Sequence, residues 1–279
     1  MGKDNNILDK LPMSSKLSVY YTSCKASEDF SDKMIEFLKG ILKPNKKEEI
    51  IIDIYRSIHC WIKTIIVLNN TIHVQAVASA TRSIYEQLLD LKLIVDDKID
   101  NAIEKFEAFR EVETFRIAKK FADFTKEHPA VKIRPHEKRI KYGSNISIQE
   151  KIDKLKAEWW GTSKGSIEHW SGYKINKRAE LAGIDYEILY NESFNMLSWY
   201  VHAGQVGARR RSKEFLELVY GDSMRLIHEM FVDAVLLVAR ALKITSAIPE
   251  FSEWIKQLEL VPGFAILEEE KKFLDMTKN

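Results

Sequence analysis

The stretch Lys46–Leu68, KKEEIIIDIYRSIHCWIKTIIVL, decides the fold. Its isoleucine run would suit a buried strand as well as a buried helix, because short apolar runs are ambiguous. Nothing nearby in the sequence looks like a sheet partner. Ile50, Ile51, Ile54, Ile58, Trp61, Ile62 and Ile65 leave few polar sides on a helix. A helix that is greasy almost all round belongs in the centre of a bundle. The stretch is therefore read as helix.

Working outward, helical periodicity continues in both directions. Phe30, Met34, Phe37, Leu38, Ile41 and Leu42 follow a helix period before Pro44. From about Ile72 to Val95, small residues (Ala76, Ala78, Ser79, Ala80) open a long helix and allow a neighbour to approach closely. From about Asp100 to Lys126 the expected buried side is Ile103, Phe106, Phe109, Ile117, Phe121 and Phe124. A basic loop, Pro129 to Gly143, follows. It leads into SIQEKIDKLKAEWW, where Ser147 and Glu150 have capping-box spacing. An irregular Trp-Ser-Gly segment precedes a short helix ended by Gly183, and Asp185 is expected to cap the next helix. The last long helix, about Phe215 to Lys243, carries the stripe Met224, Ile227, Phe231, Val235, Val238 and Leu242. Trp254, Leu258 and Phe264 are expected to pack back from the tail. The fold class is all-α: a single multi-helix bundle domain (residues 27–248) with the basic loop inserted, after an N-terminal extension (1–26), with a helical tail (249–279) whose end is frayed.

Composition narrows the function classes. The 279 residues are 45% hydrophobic and 30% charged, enough for a sizeable core. Eleven glycines are few for a sandwich, and neither a P-loop nor a dinucleotide-binding pattern occurs. A net charge of +2 gives no global case for nucleic acid, so any such case must be local. Cys24 and Cys60 form no metal pattern, and no Glu has a His three residues later, so no metal or other cofactor is expected. The cysteine usage fits a reducing cytosol. The greasiest stretches are too short or too charged to span a bilayer, which makes a cytoplasmic protein without a membrane partner the expectation.

Two polar stripes stand out. Asn191, Asn195, Ser198 and His202 recur at steps of four, three and four, and Gln75, Ser79, Arg82 and Glu86 repeat that spacing. Such spacing places side chains on one helix face. The stripes are either two solvated faces or two strips that meet inside the bundle. If they meet, Arg82, Glu86 and His202 must satisfy one another, because unpaired burial of charge is costly. A histidine held in such a cluster is suited to acid–base work.

These residues also carry a resemblance. The Arg82-x-x-x-Glu86 helix, the Trp170-Ser171-Gly172 loop with its short basic helix, and the ending at Ser198 and His202 resemble an uncharacterised prokaryotic family of helical domains of unknown function. The resemblance covers roughly Lys46 to Gly204. Its helical layout is similar to abortive-infection proteins and HEPN ribonucleases, although the HEPN spacing of Arg and His on one helix is absent here. It implies one of two readings. In the first, a metal-independent ribonuclease or toxin-type effector of antiviral defence uses Arg82, Glu86, Ser198 and His202 catalytically. Asn191, Asn195 and Trp170 would then contact RNA, together with Arg209, Arg210 and Arg211, a basic run that is not part of the family pattern. A serine nucleophile at Ser198 would need an oxyanion site that the sequence does not offer. In the second, a non-catalytic binding or sensor module uses the same cluster as a structural network and binds a protein partner from a defence system. A homodimer is compatible with either.

Overall fold

The computed structural model describes residues 11–40, 44–128, 137–163, 165–201, 212–244, 248 and 250–277. These residues form helices and no strand, so the all-α expectation holds. In chain order the helices are α1 (Met13–Lys39), α2 (Lys46–Val67), α3 (Val74–Val95), α4 (Ala102–Glu127), α5 (Glu137–Gly143) and α6 (Ile146–Trp160). They continue with α7 (Ile175–Ala182), α8 (Ile184–Leu189), α9 (Asn195–Val201), α10 (Lys213–Ala241) and α11 (Phe251–Thr277). A 3-10 turn, Thr71–His73, leads into α3, and a π-turn, Tyr190–Phe194, joins α8 to α9. The chain divides into two compact units, residues 1–96 with 182–279, and residues 97–181. No helix among the described residues is long and apolar enough to cross a membrane.

In the first unit the isoleucine run resolves as helix. Asn45 caps α2 in a reciprocal box with Glu48: Glu48 N donates to the Asn45 side chain at 3.0 Å and Asn45 N to the Glu48 carboxylate at 2.8 Å. Ile50, Ile51, Ile54, Ile58, Ile62 and Ile65 are all buried. The expected stripe of α10 is buried from Met224 to Val238 as well, against α1, α2 and α3. α1 starts at Met13 and therefore takes residues 13–26, read from the sequence as an extension, into the unit. Its buried side carries Ser23, Ser27 and Ser31 at steps of four, on which periodic hydrophobicity is silent.

These serines are hydrogen-bonded. The Ser27 hydroxyl lies 2.9 Å from Nδ1 of His228 on α10 and donates to the Ser23 carbonyl, while Ser31 Oγ meets His59 Nδ1 at 2.8 Å and the Tyr55 hydroxyl at 3.2 Å on α2. His228 Nδ1 also lies 3.2 Å from the Ser23 carbonyl, an acceptor only, so Nδ1 carries the proton. The tail packs back on α1 through Phe251, Leu258, Ala265 and Ile266, but Trp254 and Phe264 are exposed, contrary to expectation. The helical phase that buries Leu258 and Ala265 turns Phe264 outward, whereas Trp254, one turn before Leu258, stays on the packed side and meets Phe251 edge-on at 6.4 Å.

In the second unit the buried side of α4 differs from the expected one. Ile117 and Phe124 are each 45% exposed, while Ala108, Val112, Phe115, Ala118 and Ala122 are buried. Phe106 and Phe109 of the expected side are half-buried against Trp170 and Trp160, and close approach adds the alanine face. A Cβ on Gly143 of α5 would lie 2.3 Å from the Ala118 carbonyl oxygen, so α5 touches α4 where both are small. The expected basic loop is thus helical from Glu137, and its residues Pro129 to His136 lie outside the described residues. The capping box at Ser147 does not form: Asn145, two residues earlier, accepts from Ile148 N at 3.1 Å and starts α6. Asp185 likewise lies in the first turn of α8, which begins after Gly183.

The Trp-Ser-Gly segment closes this unit. Trp170 is buried among Phe106 and the His169 ring, and its carbonyl accepts from Trp160 Nε1 at 2.9 Å. Gly172 turns the chain at φ +77°, where glycine carries no Cβ penalty. Arg178 of α7, also buried, lies 2.9 Å from His169 Nε2, and His169 Nδ1 lies 2.9 Å from Ser171 Oγ and 3.3 Å from the Ser171 backbone N.

Two outcomes follow for stability. Burial pushes the His228 imidazole down to about 4. Below the unfolded value near 6.5 the unfolded chain takes up a proton that the folded chain refuses, so stability falls with acid by up to about 1.4 kcal/mol per pH unit until about pH 4. Urea melts across this window should show that loss in the native chain. His228→Asn, which keeps a donor toward Ser23, should flatten it; an unchanged acid limb in the variant contradicts the assignment. Trp170→Ala should cost about 3–5 kcal/mol. Tyr173→Ala, at a side chain 44% exposed in the same turn, should stay within about 0.5 kcal/mol. Equal losses in the two variants would remove Trp170 from the core.

Candidate functional site

In the first unit, α3 packs against the segment running from α8 through the π-turn into α9. The contact is built on Tyr85 and Phe194. Their ring centroids are 5.2 Å apart, and the Tyr85 hydroxyl donates to the Tyr186 carbonyl at 2.7 Å. One turn before Tyr85 on α3, the Arg82 guanidinium lies over the Phe194 ring at 4.8 Å, while its Nε donates to Glu86 Oε1 at 3.1 Å. The Arg82 and Glu86 side chains are 26% and 38% exposed, so the pair sits at the rim of the contact and not in a dry cavity. α3 thus meets the π-turn segment here through Arg82 on Phe194, while the expected partner His202 lies outside the described residues.

The π-turn decides what else reaches this place. Asn195 N–H donates to the Tyr190 carbonyl, five residues back, so the strict α spacing that defined the polar stripe is interrupted between Asn191 and Asn195. Phe194 and Leu197 point inward, whereas Asn191 and Asn195 are exposed. Ser198 is half-buried, and its hydroxyl donates to the Phe194 carbonyl at 2.9 Å, the backbone bond of a helical serine. On α3, Gln75 is exposed, and Ser79, Arg82, Glu86 and Asp90 are half-buried. Trp170 lies buried in the other unit. His202 and Arg209, Arg210 and Arg211 lie outside the described residues.

Sequence reading missed a charged group at the far end of the same α3 face. Asp96 lies between Lys92, at 2.8 Å, and Arg240 of α10, and the Lys92 ammonium stands 5.6 Å from the Tyr186 ring. Burial and the nearby carboxylates of Asp233 and Asp96 push the Tyr186 phenol up, so it stays protonated. Spacing within one helix cannot report the pair of Asp96 with Arg240, 144 residues apart. Sequence also overlooked His169 and Arg178, although both flank residues it singled out. Among the described residues, no group of three His, Cys, Asp or Glu side chains is gathered to hold a metal ion.

What the described part of the site can do chemically is limited. A guanidinium shared between a carboxylate and an aromatic face is anchored, and a hydroxyl bonded to its own helix is not activated. No curated protein and no solved structure matches the chain. A family model does, described as a family of unknown function (DUF5677), over residues 48–215, which takes in Arg82, Glu86, Trp170, Ser198 and His202. The chain belongs to that family of unknown function.

Proposed function

We propose that this protein is a non-catalytic binding module in which Arg82, Glu86, Phe194 and Ser198 hold α3 against the π-turn segment. The observation that carries this reading is the engagement of the polar groups. The guanidinium is bonded to Glu86 and seated on Phe194, and the Ser198 hydroxyl is spent on the Phe194 carbonyl. The bond through Nε and the contact of the flat guanidinium face fix Arg82 between its own helix and the π-turn. The π-turn fits the same role, because it aims Phe194 at the guanidinium. By the resemblance noted above, the bound partner would be a component of a defence system. The competing reading is a HEPN-like, metal-independent ribonuclease that joins Arg82 to His202.

Expression of the native chain beside Arg82→Ala and His202→Ala separates the two. The binding module leaves cellular RNA and growth unchanged. Arg82→Ala then loses about 1 kcal/mol from the cation–π contact and the helix pair together, a melting temperature lower by about 2–4 °C. Cleavage of RNA by the native chain, abolished in both variants while circular dichroism is unchanged, overturns the proposal. An Arg82→Ala variant that melts with the native chain overturns the structural role of the cluster.

A further inference from the structure

The two units differ in charge. Residues 97–181 hold 19 Lys and Arg against 14 Asp and Glu, a net +5, and the remainder holds 24 against 27, a net −3. The near-neutral total conceals a basic unit. Within it, a cleft of about 510 Å³ opens between α4, α6 and the loop at Gly165–Ile167. Its floor is apolar, made by Val112, Phe115, Ile152 and Ile167, and its walls carry Arg116, Lys119, Lys120 and Lys156 against the single acid Asp123. That volume lies within the range of small-molecule sites.

Lys156 is the informative residue. It is 8% exposed, yet it lines the cleft. An ammonium has three N–H donors. Among the described residues one goes to the Ser163 carbonyl at 3.2 Å, and the nearest carboxylate, Asp153, stands at 3.8 Å, beyond hydrogen-bond reach. With Asp153 at ion-pair distance and one N–H on the Ser163 carbonyl, the ammonium keeps donor capacity for a further anion in the cleft. Lys119 and Lys120 are exposed, and neither has an ion-pair partner among the described residues. Arg116 is held by Glu113 and adds less.

The cleft does not stand alone. A second one, of about 500 Å³, shares Lys119, Asp123 and Gln149 with the first and adds Lys126 and the start of α6 at Asn145–Ile146. α5 beside it exposes Lys138 and Lys141 and sets Arg139 over Phe121 at 5.2 Å. Cations spaced along two adjoining clefts suit a ligand with repeated negative charges, and the apolar floor suits a ligand that also brings flat, uncharged faces. Both belong to one chemistry, a chain of phosphates carrying bases.

We propose that the α4–α6 cleft binds single-stranded nucleic acid, with a phosphate at Lys156 and Lys120, a base over the apolar floor, and the strand continuing past Lys119 toward Lys126. The site lies in residues 97–181, apart from the Arg82 cluster, and does not depend on the role assigned to that cluster.

The test uses the full chain and a short fluorescein-labelled oligouridylate, with fluorescence anisotropy read at several salt concentrations. The native chain binds, and affinity falls as salt rises. The double variant Lys119→Glu/Lys120→Glu binds about tenfold or more weakly, and its salt slope is smaller by about 1.4, two phosphate contacts on a single strand. Lys156→Gln binds more weakly and keeps the native circular dichroism. A double charge reversal on the other unit, Lys271→Glu/Lys272→Glu, leaves binding unchanged. No binding by the native chain at low salt overturns the proposal, as does equal binding by the Lys119/Lys120 variant. Displacement by poly-glutamate as effective as by unlabelled oligouridylate also overturns it, in favour of an acidic peptide.

Discussion

A seam of hydrogen bonds along α1 makes the first unit possible. Ser27 with His228, and Ser31 with His59 and Tyr55, place polar groups where α1, α2 and α10 bury nearly everything else. Each group would be costly alone, and the pairing satisfies them within the core. The small serine side chains also set the distance between helices, since a larger residue at 23, 27 or 31 would push α1 away from its neighbours. With α1 seated, α11 can cover its outer side through Phe251, Leu258 and Ala265.

The second unit rests on closeness and on one ring. Gly143 lets α5 reach the backbone of α4, and Trp170 fills the end of the unit while its carbonyl takes the Trp160 indole proton. Arg178, His169 and Ser171 fix the loop around that ring through contacts to both imidazole nitrogens. The same construction leaves the lysines of α4 and α6 facing a common cleft. Packing and electrostatics are therefore coupled here: the apolar side of α4 floors the cleft, and its cationic side walls it.

The Arg82 cluster shows how a local irregularity redirects a site. A regular helix from Ile184 to His202 would have kept Asn191, Asn195 and Ser198 in one file. The π-turn breaks that file, exposes the two asparagines and drives Phe194 under the guanidinium. The result is an aromatic and ionic clasp at the rim of a helix contact. Its members have partners already, and this is the physical ground for reading the cluster as a device for fixing helix register.

The all-α class, the buried faces of α2 and α10 and the Arg82–Glu86 pair were legible in the amino-acid order, because helical period and four-residue spacing are local properties. α1 was only partly legible, since serines give no hydrophobic period and their partners lie more than twenty residues away on other helices. The buried face of α4 was misread in part, because ring size favoured the phenylalanines, whereas the approach of Gly143 favoured the alanines. Only the tertiary structure revealed the cleft around Lys156 and the division of charge between two units. A cleft exists only where separate helices come together, and whether a lysine meets water or a carbonyl is decided by what the rest of the chain places beside it.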